Sequence, residues 1–180
     1  MQHQRWSAQG LNPPKLSVNL SVKQVRYPDL LDGIHNILEE SEIDPRHLKL
    51  EITESSLMQN IDESLLRLNK IRELGIDLAI DDFGTGYSSL NYLRQLPITD
   101  VKIDKSFIQD IASGQDGETI IRTVIAMAKN LRLGVIAEGV ETEQQLEFLR
   151  DNACDQYQGY HYMKPVDAQT FTEILETNTA

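Results

Sequence analysis

The stretch Ile76–Ser89, IDLAIDDFGTGYSS, decides the fold class. It joins a short apolar run, Ile76–Ile80, to two adjacent acidic residues and a glycine-rich turn, which is typical of a buried strand followed by a loop. Short apolar runs that end in a polar residue recur along the chain, at Leu16–Leu20, Leu48–Ile52, Val101–Ile103, Leu133–Ala137 and, more weakly, Asp155–Tyr160. The sequence therefore predicts six strands.

Amphipathic helices are predicted between most of these strands, because apolar residues recur there at helical spacing. The clearest stripes are Leu30 to Leu38, Ile61 to Ile71 and Ile120 to Leu131, with shorter ones at Leu146 and Leu149 and at Phe171 to Leu175. Leu74-Gly75 predicts a helix end, and Thr142 with Gln145 predicts a capping box. Strand–helix alternation without hairpin signals predicts parallel strands joined by right-handed crossovers in a single α/β domain.

Two parallel architectures fit this alternation, a doubly wound open sheet and a (β/α) barrel. They differ in where the polar residues at the carboxyl ends of the strands meet: on one rim in a barrel, but only beside the switch point in an open sheet. These residues are Asn19, Glu51, Glu54, Asp81, Asp82, Lys102, Asp104, Glu138, Glu141 and Gln158. Carboxylates at several separate strand ends favour the barrel. At about 30 residues per βα unit, 180 residues make about six units of an eight-unit barrel.

The strand ends predict a site for hard cations. Its oxygen donors are Asn19, Glu51, Asp81, Asp82 and Glu138, a set that suits Mg²⁺, Mn²⁺ or Ca²⁺ better than zinc or copper. Adjacent carboxylates can bridge two cations if the strand ends beside them, and two cations are a common device for attack of water on a phosphodiester. Lys102 at the same rim would hold the attacking water or neutralise the negative charge that develops on the phosphoryl group. Taken singly, each carboxylate is more often a helix cap than a ligand.

Composition excludes several classes of partner. The net charge of −11 argues against binding to a nucleic acid polymer or an anionic membrane surface. Cys154 is the single cysteine, so an intrachain disulfide and a thiolate zinc site are both excluded. The amino terminus has no apolar signal region, and we expect a cytoplasmic protein.

The loop after the third strand, from Phe83 to Ser89, contains two glycines and small hydroxyl side chains. Its backbone N–H groups are suited to face an anion. It lacks the third glycine of a dinucleotide-binding motif and the Gly-Lys-Ser/Thr of a P-loop.

A series of motifs in a fixed order carries a family resemblance. They are Ser17–Ser21 (SVNLS), Leu50–Ser55 (LEITES), Ile80–Leu90 (IDDFGTGYSSL), Val101–Phe107 (VKIDKSF), Ala137–Glu141 (AEGVE) and Gln158–Tyr160 (QGY). Together they resemble EAL domains, which are bacterial cyclic-di-GMP phosphodiesterases with a modified (β/α)8 TIM-type barrel. The resemblance extends from the first residues to Pro165.

The resemblance implies a role for each matching residue. Metal ligation falls to Asn19, Glu51 and Asp81 at a first metal, and to Asp81, Asp82 and Glu138 at a second. Lys102 would contact the attacking water, with Glu138, Glu141 and Gln158 in the same catalytic network. Substrate and loop roles fall to Glu54, Phe83, Gly84, Thr85, Gly86, Gln158, Gly159, Tyr160 and Pro165.

The same resemblance implies a reaction and partners. The reaction would be hydrolysis of cyclic-di-GMP to linear pGpG with Mg²⁺ or Mn²⁺, inhibited by Ca²⁺. Glu54 would brace the loop from Phe83 to Ser89, which couples the site to homodimerisation. An upstream sensor or GGDEF-type cyclase domain would be joined to such a domain, and upstream segments would anchor the parent protein where it is membrane-bound.

This chain departs from the family pattern in one respect: it has no Glu-Ala-Leu segment with its nearby arginine. We therefore interpret residues 1–180 as one partial EAL domain, with 1–14 ending a helix and 15–180 forming βα units three to eight. Loss of a ligand and of two strands should weaken turnover by this chain alone. The alternatives are a non-catalytic module that binds cyclic-di-GMP or a protein partner and, with less support, an unrelated metal-dependent barrel lyase.

Overall fold

A computed structural model describes residues 2–54, 61–86, 90–111 and 117–178. The strands are β1 (Leu16–Asn19), β2 (Leu48–Thr53), β3 (Asp77–Phe83), β4 (Asp100–Ile103), β5 (Gly134–Glu138) and β6 (Gln156–Gln158). Every neighbouring pair is parallel, and the order in space is the order along the chain. A doubly wound sheet reverses direction at a switch point, and this one does not. The sheet is therefore of the barrel type, as predicted.

Helices alternate with these strands. They are α1 (Gln2–Ala8), α2 (Val22–Val25), α3 (Leu30–Ser41), α4 (Ile61–Glu73), α5 (Leu90–Leu93), α6 (Lys105–Gln109), α7 (Gly117–Asn130), α8 (Glu143–Asp151) and α9 (Ala168–Asn178), with a 3-10 turn at Pro45–His47. The predicted stop after α4 is confirmed, because Gly75 adopts φ +92° and its N–H donates to the Arg72 carbonyl at 2.9 Å. The capping box of Thr142 and Gln145 opens α8 as expected.

The core lies between the sheet and the helices packed outside it. Strand residues such as Leu78 and Val101 are fully buried, and they pack with Leu68 of α4 and Ile121 of α7. These helix residues belong to the predicted apolar stripes, although the side chain of Ile61, the first residue of its stripe, lies outside the described part. Burial on both faces explains why the strands are continuous apolar runs.

The sheet is open between its first and last strands. Among the described residues, β1 pairs with β2 alone and β6 with β5 alone, and Val18 of β1 stays 48% exposed. Outside the sheet, α1 reaches α9: the Trp6 ring packs 5.3 Å from that of Phe171, and its Nε1 donates to Oγ1 of Thr172 at 2.7 Å. Six in-order strands with two free edges confirm the incomplete barrel.

One local expectation was incomplete. The apolar run placed the end of the third strand at Ile80, whereas β3 continues to Phe83. Its pairing with β4 shifts register between Ile80 and Phe83, and Asp82 adopts φ +54°. An irregularity of this kind breaks the strict alternation of the pleat. Adjacent Asp81 and Asp82 are therefore not confined to opposite faces, although the strand has not ended beside them.

Candidate metal centre

The carboxyl ends of four adjacent strands converge on the ammonium of Lys102, which β4 places on the rim. Nζ lies 2.5 Å from Oε2 of Glu51 on β2, 3.0 Å from Oδ1 of Asp81 on β3 and 2.6 Å from Oε1 of Glu138 on β5. Lys102 is 3% exposed and Glu51 8%. A buried charge is tolerated when it is paired and hydrogen-bonded, as it is here. The ends of these strands thus meet on one rim, which is the arrangement that the barrel architecture predicts.

A second grouping provides oxygen donors for a cation. One carboxylate oxygen each from Asp81, Asp82 and Glu138 lie within 4.8 Å of one another. These are hard, anionic ligands in a half-buried position, and they fit Mg²⁺, Mn²⁺ or Ca²⁺. The irregularity in β3 makes the group possible, because it lets two consecutive aspartates join the glutamate of β5.

Burial and charge shift the pKa values of these groups. Burial raises the pKa of Glu138, with Lys102 acting in the opposite direction. Burial raises the pKa of Asp82 too, with further contributions from Asp81 and Asp104. Burial would lower the pKa of Lys102, but its hydrogen bonds to Glu138, Glu51 and Asp81 outweigh this and raise it. The lysine is therefore held as a cation among the carboxylates.

The remaining predicted metal ligand, Asn19, lies on the neighbouring strand. It pairs in register with Glu51, and both line a cavity of about 500 Å³ together with Asp81. The structure thus brings Asn19, Glu51 and Asp81 to one cavity, beside the tighter cluster of Asp81, Asp82 and Glu138.

Some of the residues predicted to handle substrate line a second cavity, of about 600 Å³. Gln158, Gly159, Tyr160 and Pro165 border it together with Glu141, whereas Glu54 and residues 83–86 do not. Gln158 connects this cavity to the carboxylate cluster, because its Nε2 donates to Oε1 of Glu138 at 2.6 Å. The backbone N–H of Glu141 donates to Oε1 of Gln145, which holds the turn before α8.

The loop after β3 is tied to β2 by Glu54. Its Oε2 accepts the N–H of Gly84 at 2.9 Å, and Thr85 Oγ1 donates to the carbonyl of Asp82. Phe83 is buried, whereas Gly84, Thr85 and Gly86 are exposed. The last part of the predicted loop, Tyr87–Ser89, lies outside the described residues. Within the described part, Glu54 contacts the loop as expected.

Asp104 affects the carboxylate cluster as well as the helix that follows it. Its carboxylate caps α6 by accepting the N–H of Ser106, and its negative charge contributes to the raised pKa of Asp82. The general expectation that a single carboxylate at a strand end caps a helix holds for Asp104. Its effect on Asp82 could not be predicted, because it depends on how β3 and β4 pair.

Comparison with known proteins identifies the family. The family model described as "EAL domain" matches residues 1–165. The chain belongs to the EAL domain family. This confirms the resemblance carried by the ordered motifs and the barrel-type fold.

Relatives of this EAL domain have named activities. NbdA of Pseudomonas aeruginosa, named a cyclic di-GMP phosphodiesterase, is 46% identical over 161 residues, which are 89% of this chain and 21% of that protein. MucR of the same species, named a bifunctional diguanylate cyclase/cyclic di-GMP phosphodiesterase, is 42% identical over 86% of this chain and 22% of its own length. The chain thus spans about a fifth of the length of these curated relatives.

Solved structures with the same fold match this EAL domain over most of its length. The structure titled "PaMucR Phosphodiesterase, c-di-GMP complex" superposes with a TM-score of 0.90 at 40% identity, covering 94% of this chain and 69% of that one. A manganese/cy-diGMP complex of BlrP1 from Klebsiella pneumoniae gives 0.79 at 28% identity, over 89% of this chain and 41% of that one. Among the described residues, no helix is long and apolar enough to span a membrane.

Proposed function

We propose that this EAL domain takes part in the hydrolysis of cyclic-di-GMP to linear pGpG. The observation that carries the proposal is the convergence of Lys102 with Glu51, Asp81 and Glu138 at one rim. Relatives named cyclic di-GMP phosphodiesterases, and structures titled as complexes with that dinucleotide, support the choice of substrate.

The rim would hold two divalent cations. Asn19, Glu51 and Asp81 would bind the first, and Asp81, Asp82 and Glu138 the second, with Mg²⁺ or Mn²⁺ as the active ions and Ca²⁺ as an inhibitor. When bound, such cations neutralise phosphate charge and activate water at neutral pH.

The protein side chains orient the groups that react. Lys102 donates a hydrogen bond to the attacking water and offsets negative charge that develops on the phosphoryl oxygens. Water adds to one phosphorus, the P–O3′ bond breaks, and the released O3′ gains the proton that the water loses, which leaves linear pGpG. Gln158 fixes the orientation of Glu138 through its hydrogen bond, and Glu141 borders the same cavity.

Substrate would lie across the two cavities that flank the carboxylates. Gly159, Tyr160 and Pro165 border the larger one, where an exposed aromatic ring offers a stacking surface for a base. Glu54 would keep the loop from Phe83 to Gly86 in place beside the metals. We further propose that residues 15–180 correspond to βα units three to eight, and that a longer parent forms a homodimer and carries an upstream sensor or GGDEF-type domain.

A chimera tests the proposed function, because the rest of NbdA supplies the segments that this chain does not contain. A loss of activity can then be attributed to the residues of this chain. The matched 161 residues of NbdA are replaced by the corresponding residues of this chain, and pGpG formation from cyclic-di-GMP is followed with Mn²⁺. The chimera should hydrolyse the dinucleotide, and Lys102→Met within it should lower the rate by about a hundred- to a thousandfold. An inactive but folded chimera would contradict the proposal.

Measurements on the chain by itself distinguish hydrolysis of cyclic-di-GMP from binding of it. We expect weak or no turnover, because the chain has no Glu-Ala-Leu segment and its sheet is open between β1 and β6. Calorimetry with cyclic-di-GMP and Ca²⁺ then measures binding alone. If the chimera is inactive and the chain still binds, the domain is a receptor and not an enzyme.

A further inference from the structure

The three ion pairs of Lys102 use the whole donor capacity of its ammonium. An ammonium group has three N–H donors and no acceptor. Its partners are one oxygen each of Glu51, Asp81 and Glu138, which lie on three different strands. With the lysine 3% exposed, this is a buried cation coordinated by three anionic oxygens.

Two of these carboxylates belong to the group suited to a divalent cation. Asp81 and Glu138 form that group with Asp82, and Oε1 of Glu138 accepts from both Lys102 and Gln158. An oxygen engaged by N–H donors has less lone-pair density for a metal. The positive charge of Lys102, about 3 Å from the same oxygens, repels a divalent cation. This repulsion is strong where water is excluded.

We propose that Lys102 competes with the divalent cation for Glu51, Asp81 and Glu138, and that its ammonium holds these carboxylates together when divalent cations are scarce. The proposal rests on the metal site of the proposed function. Four acidic side chains at one rim repel one another unless a cation lies among them. Lys102 supplies that charge from within the chain, so the rim keeps its shape, at the expense of metal affinity.

Competition also bears on the reaction. Each N–H of Lys102 that a carboxylate releases becomes free to donate to another acceptor. The lysine would therefore become available to the attacking water only when the carboxylates are engaged elsewhere. This couples the availability of Lys102 to cation binding.

Lys49 provides a matched control. It is also a buried strand lysine, 7% exposed, and its Nζ lies 2.7 Å from Oδ2 of Asp100. Lys49 and Asp100 lie near the amino ends of β2 and β4, whereas the rim is formed by the carboxyl ends of the strands.

The test compares the wild-type chain with Lys102→Met and Lys49→Met. Calorimetry measures Mn²⁺ affinity, and thermal unfolding is followed in chelator and in Mn²⁺. Lys102→Met should bind Mn²⁺ at least about tenfold more tightly, because a competing charge is gone. It should also melt lower in chelator and gain more from Mn²⁺ than the wild type. Lys49→Met should melt lower as well, with its Mn²⁺ affinity unchanged.

Equal or weaker Mn²⁺ binding by Lys102→Met would overturn the competition while leaving the metal site intact. If neither the wild type nor Lys102→Met binds Mn²⁺, the metal site and the competition both fail. Should Lys102→Met unfold in chelator, adding Glu51→Gln removes one of the uncompensated charges and should restore part of the lost stability. Failure of that double variant to recover would refute the charge-holding role.

Discussion

The carboxylate of Glu54 accepts a hydrogen bond from the backbone N–H of Gly84, with 2.9 Å between Oε2 and N. Glu54 follows β2 and is 2% exposed, whereas Gly84 follows β3. A Cβ atom at Gly86 would lie 2.7 Å from Oε1 of the same glutamate. One buried side chain therefore sets the path of the turn that leaves the two aspartates of β3.

Glu54→Ala should destabilise the chain by about 1–3 kcal/mol, because the N–H of Gly84 loses its hydrogen bond to a charged carboxylate. Urea unfolding followed by circular dichroism measures the difference. Glu147→Ala, at an exposed position of α8, is the control and should change stability by no more than about 0.5 kcal/mol. Equal midpoints for the two variants would show that Glu54 does not hold the loop.

Gly86→Ala should destabilise the wild type more than it destabilises Glu54→Ala. The added methyl group meets the Glu54 carboxylate, which must move, and the conflict disappears once that carboxylate is absent. A double-mutant cycle should give a coupling energy of about 0.5–3 kcal/mol. Strictly additive effects would be evidence that the two residues do not meet.

Asp82→Asn and Glu138→Gln should each weaken Mn²⁺ binding by more than about tenfold, since even residues outside the first coordination shell contribute on that scale. Each change replaces an anionic oxygen of the close cluster with an amide. Calorimetry measures the affinity. Asp151→Asn, at an exposed position that ends α8, should leave it unchanged. Unaltered binding in both cluster variants would place the cation elsewhere.

The stability that Asp77 contributes should depend on pH. Burial would raise its pKa, but Lys15 and Arg72 lower it below the ordinary value through hydrogen bonds and charge, with Arg72 Nη1 2.5 Å from Oδ1. A lowered folded-state pKa means that the stabilisation is complete above the ordinary pKa of about 4 and is lost as the pH falls through the folded-state value.

Thermal unfolding of wild type and Asp77→Asn across a pH series checks this. The wild type should melt higher at pH 7, and the difference should shrink towards zero in acid. Glu118→Gln is a control, since Glu118 forms an exposed i, i+4 pair with Arg122 and should change little at any pH. A difference between wild type and Asp77→Asn that stays constant into acid would contradict the assignment.

Much of the fold follows from local sequence. The apolar runs at Leu48–Ile52 and Leu133–Ala137 lie within one residue of β2 and β5, because a strand buried on both faces requires a continuous apolar stretch. The end of β3 was placed too early, since an aspartate in an irregular, positive-φ position resembles the start of a loop when read from sequence.

The sequence by itself determined where the six strands lie along the chain and which polar residues stand at or near their carboxyl ends. Both are properties of short stretches: apolar continuity makes a strand, and Glu51, Asp81, Lys102 and Glu138 stand where that continuity breaks. Only the tertiary structure decided that Lys102 contacts three carboxylates from three strands, and that Asp82 joins Asp81 and Glu138. Those contacts depend on strand register and on the irregularity in β3, which arise only when distant segments pack against one another.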